Sequence, residues 1–568
     1  MPHPLILRAL GLSALMLGVT LAPARADDGF AGAYLAARSA DQSADYTAVV
    51  EYGARALAAD SENSGLMEGL IIAQIGLGQI EQAVPVARRL IAEDDDNQVA
   101  GLVLMADAMK REDWNAVLAQ LDEGVSVGGF LDQMIEAWSF IGTGQMGPAV
   151  ALFDDLADDS GTRQAALIQK ALALALVGDH EGAARIFSGE DEVLQLNRAG
   201  IIAYAQVLSQ LERNADAAAM LATTFPDTVD AELVTLREEL EAGKPIAFTA
   251  ISGAREGLSR LFYEVADSLA GETDPGLVLI YARIAEFLDP ATVGATLVTA
   301  AVLEEVENYA LAAESYARVP QDHQAFPQAQ LGRAQALRRM DRVEEAIEVL
   351  ETLIAARPEL APAHAALGDT YRFEQRFAEA TPHYDDAIAL YDRDRAAQWS
   401  VYFARGIALE REGRWPEAER DFRKALELSP DQPSVLNYLG YSYVEKRENL
   451  DEALDMIQRA VEARPFDGYI RDSLGWVYYR LGRYEDAVGE MERAVELMPL
   501  DPVLNDHLGD TYWAVGRLRE ARFQWSRALS FITDETNLEE LDPDRIRRKL
   551  DVGLDVVLEE EGGEPITR

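Results

Sequence analysis

The chain has 568 residues, no cysteine, and a formal net charge of −47 from 51 basic and 98 acidic side chains. An apolar fraction of 49% with 26% charged residues is typical of a folded protein rather than of a disordered chain. The excess of carboxylates repels phosphate backbones, which excludes nucleic acid as the main partner. The absence of cysteine excludes disulfides, zinc–thiolate sites, iron–sulfur clusters and a cysteine nucleophile.

The first 26 residues predict a cleaved secretory signal. Arg8 precedes an apolar run over residues 9–22, and the Ala-Arg-Ala of residues 24–26 has the small-x-small pattern of a cleavage site. A membrane anchor is the weaker alternative, because a spanning helix needs about 20 apolar residues. We therefore expect a periplasmic protein that is cleaved after Ala26, is not lipidated, and has no transmembrane segment in its mature chain.

Residues 27–228 contain an array of short repeats. Small residues recur at intervals of 34 residues, and a second small column follows twelve residues later; the two columns are Ala137, Ala171 and Ala205, and Ala149, Ala183 and Ala217. The units before Ala137 are degenerate. A repeat of this length predicts a solenoid in which each unit buries its apolar face against its neighbours.

A second array covers residues 259–530, in a different phase. Its small-residue column advances by 34 residues at most steps and contains Ala266, Ala300, Ala334, Gly368, Gly406, Gly440, Gly475 and Gly509. Ala205 and Ala266 are 61 residues apart instead of 68, and residues 244–253 interrupt the helical periodicity with Pro, Thr and Gly. We place a junction at residues 229–258, between two predicted arms.

The last repeats show why each unit should be a helix pair. Gly475 and Ala487 are small enough for two helices to approach closely, and Gly482 suits the turn between them. Pro499 should end the second helix, and Asp501 should cap the next one. The chain is therefore predicted to be all-α, an α-solenoid of antiparallel helix pairs.

The strings Leu474-Gly475-Trp476 and Leu508-Gly509-Asp510, with Ala, large apolar and Ala positions after each, resemble the tetratricopeptide repeat (TPR) family. The resemblance covers roughly residues 29–530 and implies a right-handed superhelix whose inner groove binds proteins or peptides. The C-terminal half is also similar to exported proteobacterial TPR proteins, some of which are adaptors of carboxy-terminal processing proteases. This second resemblance implies a protein partner, with an envelope protease as one candidate.

In the TPR family, positions on the first helix of each pair line the groove. The corresponding positions in the C-terminal array combine aromatic side chains, which offer contact area, with Asn and Asp, which can bond an extended backbone. They are Phe403, Asn437, Tyr441, Asp472, Trp476, Tyr479, Asp506, Asp510 and Trp513. The alternative is that some of these side chains pack between neighbouring helices, and for Trp476 the two interpretations are balanced.

No motif in the sequence indicates catalysis, and we expect no cofactor and no metal. His364 and His383 lie within predicted helices of one repeat, where packing or surface roles are sufficient. Residues 531–568 form the predicted cap and tail, with one helix over 538–558 covering the last repeat.

Three functions compete. The favoured hypothesis is a non-catalytic periplasmic scaffold or adaptor that binds proteins or extended peptides in its groove, in cell-envelope maintenance or as a protease adaptor. The alternative is a repeat module of a polysaccharide-export or outer-membrane assembly machine. An enzyme such as a glycosyltransferase is disfavoured, because only about 38 residues follow the last repeat and a catalytic α/β domain does not fit there.

Overall fold

The computed structural model of the chain describes residues 30–94, 96–190, 192–226, 230–533, 536 and 541–566. The predicted signal and its cleavage site, within residues 1–26, lie outside these residues. The described segments form α-helices and one short 3₁₀ helix and contain no strand, which confirms the all-α prediction. By its internal contacts the chain forms two compact units, residues 1–342 and 343–568.

The first unit contains eighteen α-helices in its described residues. In chain order α1 to α18 are Phe30–Gln42, Tyr46–Ala59, Ser64–Gly76, Ile80–Glu93, Gln98–Lys110, Trp114–Asp122, Gly129–Gly142, Met146–Asp158, Arg163–Leu176, His180–Phe187, Arg198–Gln210, Asn214–Thr224, Ala231–Glu241, Ala254–Leu269, Pro275–Leu288, Val293–Glu305, Tyr309–Ala317 and Phe326–Arg339. Helices α1 to α12 pack as consecutive pairs, and each pair packs on the next.

Helices α14 and α15 depart from this neighbour-to-neighbour order. They pack against α3, α5, α7 and α9, the first helices of four earlier pairs. The segment before them, residues 244–253, contains no helix. The predicted junction at 229–258 therefore lies inside the first compact unit. That two repeat arrays meet at this junction stays a prediction.

The second unit contains helices α19 to α31 in its described residues. They are Val343–Ala356, Ala361–Phe373, Phe377–Ala389, Trp399–Arg411, Trp415–Leu428, Pro433–Lys446, Leu450–Ala463, Gly468–Arg480, Tyr484–Leu497, Pro502–Ala514, Leu518–Ser530, Pro543–Val552 and Leu554–Glu560, with a 3₁₀ helix at Ala396–Gln398. The five pairs from α20/α21 to α28/α29 each pack tightly.

The local signals in the last repeats act as the sequence predicts. Gly482 has a φ of +71°, in the left-handed region that favours glycine, and it lies in the turn between α26 and α27. Asp501 caps α28, because its Oδ1 accepts hydrogen bonds from the backbone N–H groups of Val503 and Leu504, at 2.9 and 3.1 Å. A Cβ on Gly475 would lie 2.7 Å from the Met491 side chain, so the close approach of the two helices requires glycine.

The C-terminal segment differs from the single helix expected over 538–558. Two helices, α30 and α31, are separated at Gly553, whose φ of +89° and ψ of 157° do not allow one continuous helix. Residues 537–540 lie outside the described part of the chain. Ile546, Leu554 and Val557 are buried, and the first two join the apolar core of the last pair.

Candidate functional site

In chain order, the first predicted groove residues are on α22 and α24. Phe403 is half-buried and packs edge-on against Tyr438, with ring centroids 5.7 Å apart, and also against Phe422 at 5.9 Å. Asn437 and Tyr441 are half-buried on α24. The Oδ1 atom of Asn437 is buried and has no hydrogen-bond partner, which is unusual for a native side chain.

On α26, Trp476 lies at the centre of an aromatic stack. Its ring is 4.8 Å from that of Tyr479 and 4.2 Å from that of His507, nearly parallel to both. Its Nε1–H donates to Glu445 Oε1 at 2.8 Å, so the side chain connects α24, α26 and α28. Trp476 is half-buried and thus combines packing between helices with an exposed edge, the two alternatives that the sequence left open.

Asp472 is buried and pairs with His507. The imidazole Nδ1–H donates to the Asp472 carboxylate, at 2.9 Å from Oδ2. Burial alone lowers the pKa of His507, but the carboxylates of Asp472, Asp506 and Asp510 outweigh burial and raise the pKa to about 9. His507 is therefore an imidazolium at neutral pH, stacked on the face of Trp476.

The three groove residues of α28 are covered by the C-terminal segment. Asp506, Asp510 and Trp513 are all at most 9% exposed. Lys549 of α30 is fully buried, and its ammonium donates to both carboxylates, at 2.9 Å to Asp506 and 2.7–2.8 Å to Asp510. These side chains do not form an open surface in this structure, because the chain supplies its own cation to them.

Further contacts at this cover involve both tryptophans of the last pair and Arg545 of α30, whose guanidinium lies 3.7 Å from Asp510 Oδ2. Trp513 donates from Nε1 to Asp555 Oδ2 at 3.0 Å, and Trp525 donates to Asp510 Oδ1 at 2.8 Å. Burial raises the pKa of Asp506, while Lys549 opposes that shift. The cluster is a buried network of charges that neutralise one another.

Sequence reasoning missed His507, Lys549 and Asp555. His507 lies one position from a predicted groove residue, but nothing in the repeat pattern marks it as a partner of Asp472. The C-terminal segment does carry a signal. Ile546, Leu550 and Leu554 recur every four residues, which gives the predicted capping helix an apolar face, and Lys549 adjoins Leu550. A cation beside such a face can serve a buried carboxylate.

One further group could hold a metal. Among the described residues, His364, His383 and Asp386 have potential ligand atoms that all lie within 4.8 Å of one another.

Parts of the chain match models of a known repeat family. Two family models, both described as tetratricopeptide repeat, match residues 399–432 and residues 290–361 and 439–502. The chain contains tetratricopeptide repeats in these matched segments. The matched segments include the repeats that carry most of the candidate site.

The curated relatives and the solved structures have low sequence identity to this chain. The chain is 27% identical over 185 residues to the TPR repeat-containing protein PA4667 of Pseudomonas aeruginosa, which is 32% of this chain and about 30% of the length of that relative. A crystal structure of the APC/C hetero-tetramer Cut9-Hcn1 has 16% identity over 92% of this chain and 96% of that one, with a TM-score of 0.38. A tetratricopeptide repeat protein from Parabacteroides merdae has 14% identity over 46% and 99%, with a TM-score of 0.35.

Within the described part of the chain, every helix falls short of the length and apolar character that crossing a bilayer demands.

Proposed function

We propose that this TPR protein is a non-catalytic scaffold that binds a segment of a partner protein on the first helices of its second unit. The binding surface consists of the side chains on α22, α24 and α26, namely Phe403, Asn437, Tyr441, Trp476 and Tyr479. TPR arrays are scaffolds for protein–protein interaction, which supports the general assignment. The choice of surface rests on this structure.

The observation that carries the proposal is the different use of first helices in the two units. In the first unit, α14 and α15 pack on the first helices of four pairs. In the second unit, the first helices α20, α22, α24 and α26 each pack on the second helix of their own pair and on neighbouring pairs. Among the residues described, no helix of that unit covers these four helices as α14 and α15 cover the first helices of the first unit. A surface of the type that the chain fills with its own helices elsewhere is thus left for another chain.

Asn437 adds a polar argument. An acceptor that is buried without a partner costs about 1–3 kcal/mol, and a partner's N–H that reaches the amide would relieve this cost. Beside it, half-buried aromatic rings offer contact area at low conformational entropy. An extended segment uses both features at once, because its backbone donates hydrogen bonds while its side chains meet the rings.

Photo-cross-linking tests the location of the surface. A photoreactive amino acid replaces Tyr441 in one variant and Phe523 in a control variant; Phe523 is 61% exposed on α29, a second helix. We expect a discrete protein adduct from position 441 and none from position 523 after irradiation of living cells. Equal adducts at both positions, or none at 441, would contradict the proposal.

A pair of matched substitutions tests the role of Asn437. Asn437→Leu removes an unsatisfied acceptor, so we expect unchanged or slightly higher stability together with at least about 10-fold weaker binding of the cross-linked partner. Asn505→Leu is the control, because the Oδ1 of the fully buried Asn505 is likewise without a partner while its Nδ2 donates to the carbonyls of Pro499 and Asp501. This variant should lose stability instead. Normal binding by Asn437→Leu would remove Asn437 from the site.

The cellular setting is part of the same proposal. The signal in residues 1–26 supports export to the periplasm, where an envelope protease is one candidate partner. N-terminal sequencing of the protein from the periplasmic fraction should begin at Asp27. A mature protein that still contains residues 5–19 would contradict export with cleavage.

A further inference from the structure

Three side chains from two helices of one repeat converge in the second unit. His364 lies near the start of α20, while His383 and Asp386 are three residues apart on one face of α21. The His364 Nδ1 atom is 3.7 Å from Asp386 Oδ2, which is too long for a hydrogen bond. The potential ligand atoms of all three residues lie within 4.8 Å of one another.

The surroundings of His364 determine which of its nitrogens is available. Its Nε2 lies 3.0 Å from the carbonyl oxygen of Pro358, and a carbonyl only accepts, so Nε2 carries the proton. In the neutral ring Nδ1 then bears the lone pair, and this atom is buried without a hydrogen-bond partner. His364 is 7% exposed, so its free lone pair lies inside the protein and is directed into the cluster.

His383 has a similar orphan nitrogen. Its ring stacks on Tyr371, with centroids 5.5 Å apart and planes at 6°, which holds the imidazole in place. Its Nδ1 is also buried and unpartnered. The cluster thus contains two imidazoles, each with a buried ring nitrogen that has no hydrogen-bond partner.

We propose that His364, His383 and Asp386 form a binding site for a divalent transition-metal ion, with Zn²⁺ as the best fit. Two imidazole nitrogens and one carboxylate oxygen are a donor set that zinc accepts. The hydrogen bond from His364 to the Pro358 carbonyl is the contact that orients a ligating histidine in metal sites. This site is independent of the binding surface proposed above.

The geometry needs only a small closure. Tetrahedral zinc with bonds of about 2.0–2.1 Å places its ligand atoms about 3.3 Å apart. The present separations exceed this by at most about 1.5 Å, a distance that rotation of the exposed Asp386 side chain helps to cover. Three protein ligands leave a fourth position for water or for a donor from a partner.

Structural packing alone explains this cluster poorly. Two buried ring nitrogens are left unsatisfied although a carboxylate lies nearby, and each such group costs about 1–3 kcal/mol. A bound cation satisfies both nitrogens and the carboxylate simultaneously.

The test uses the full-length mature protein without an affinity tag, stripped of metal with a chelator. Zn²⁺ is titrated by calorimetry in excess Mg²⁺, which saturates sites made of carboxylates alone, and Co²⁺ is titrated as a spectroscopic probe. We expect one Zn²⁺ per chain, a higher melting temperature with Zn²⁺, and visible absorption bands of low-coordinate Co²⁺.

Variants connect the signal to the three residues. Asp386→Asn and His383→Gln should each weaken Zn²⁺ binding at least about 10-fold and abolish the Co²⁺ bands, with unchanged circular dichroism. His180→Gln, in α10, is the matched control and should bind as the parent does. Absence of Zn²⁺ binding, or binding that both cluster variants leave unchanged, would overturn the proposal.

Discussion

In each unit, a glycine, a tryptophan and a buried cation lie where one helical segment packs on earlier helices. In the first unit, α14 and α15 pack on earlier first helices, with Gly257 against Trp138 and the buried Arg283 donating to the carbonyl of Gly76 at 3.0 Å. In the second unit, α30 and α31 pack on the last pair, with Gly553 against Trp513 and the buried Lys549 between two carboxylates. A glycine admits a close approach to a tryptophan, and a buried cation anchors the segment.

The two units differ in the groups that the buried cation contacts. Arg283 meets a neutral carbonyl at the C-terminal end of α3, where the helix dipole favours a cation, and its carboxylate partner Glu286 lies on its own helix. Lys549 instead holds two carboxylates of a different helix. The docking of the C-terminal segment should therefore depend on charge far more than the docking of α14 and α15.

The largest expected effect is that of Lys549→Met. Loss of the ammonium removes all of its hydrogen bonds to Asp506 and Asp510 and leaves these buried carboxylates with only the weaker compensation of Arg545, 3.7 Å from Asp510, and of the His507 imidazolium, which should destabilise the second unit by about 3–5 kcal/mol. Urea unfolding measures the loss, and hydrogen exchange should show release of residues 541–566. Lys424→Met is the matched control, because Lys424 also contacts two carboxylates but is partly exposed. We expect at most about 1 kcal/mol there; equal losses would remove the distinction.

The second-largest expected effect is a pH dependence of the free energy of unfolding, confined to the second unit. The folded-state pKa of His507, about 9, lies above its ordinary value of 6.5, so its stabilising effect is complete below about pH 6.5 and is lost as the pH rises through 9. The shift corresponds to about 3 kcal/mol. Urea unfolding between pH 6 and 10 should show this loss in the parent. His507→Gln should abolish this part of the pH dependence, whereas His323→Gln should retain it.

Arg283→Met should have a smaller effect. The substitution leaves the Gly76 carbonyl without this donor. Glu286 retains its ion pair with Arg318 at 2.9 Å, so this carboxylate still has a cationic partner. We expect a loss of about 1–3 kcal/mol in the first unit, measured by urea unfolding. Arg213→Met, at an exposed position, is the control. A loss as large as that of Lys549→Met would show that carboxylate partners do not explain the difference between the units.

Gly257→Ala should have the smallest effect. Its Cβ would lie 2.5 Å from the ring of Trp138, which is held by a hydrogen bond to Gln169. Overpacking costs about 1–3 kcal/mol, and the helical preference of Ala returns about 1 kcal/mol. We therefore expect a net loss of about 1 kcal/mol in a thermal melt, while Gly32→Ala, with open space around it, should be neutral or stabilising. Stabilisation by Gly257→Ala would show that α14 does not need this close approach.

Part of this architecture could be predicted from residues close in sequence. The small column at Gly475 and Gly509, the turn at Gly482 and the cap at Asp501 are local or lie within one 34-residue period, so the pattern reveals them. The candidate site was only partly accessible. The repeat pattern predicts Trp476 as a groove position, which stays a prediction. Its stack on His507 requires the next repeat, and the cover on Asp506 and Asp510 comes from a segment about 40 residues further along the chain.

The sequence by itself determined the helix pairs, their period and the resemblance to tetratricopeptide repeats, because each follows from small, apolar and capping residues at fixed spacings. Only the tertiary structure decided which first helices the chain covers with its own segments. Arg283 and Gly76 are 207 residues apart, and His364 and His383 converge through the packing of α20 on α21. A repeat pattern constrains nearest neighbours alone, so contacts beyond them depend on which buried charges and apolar faces find partners after folding.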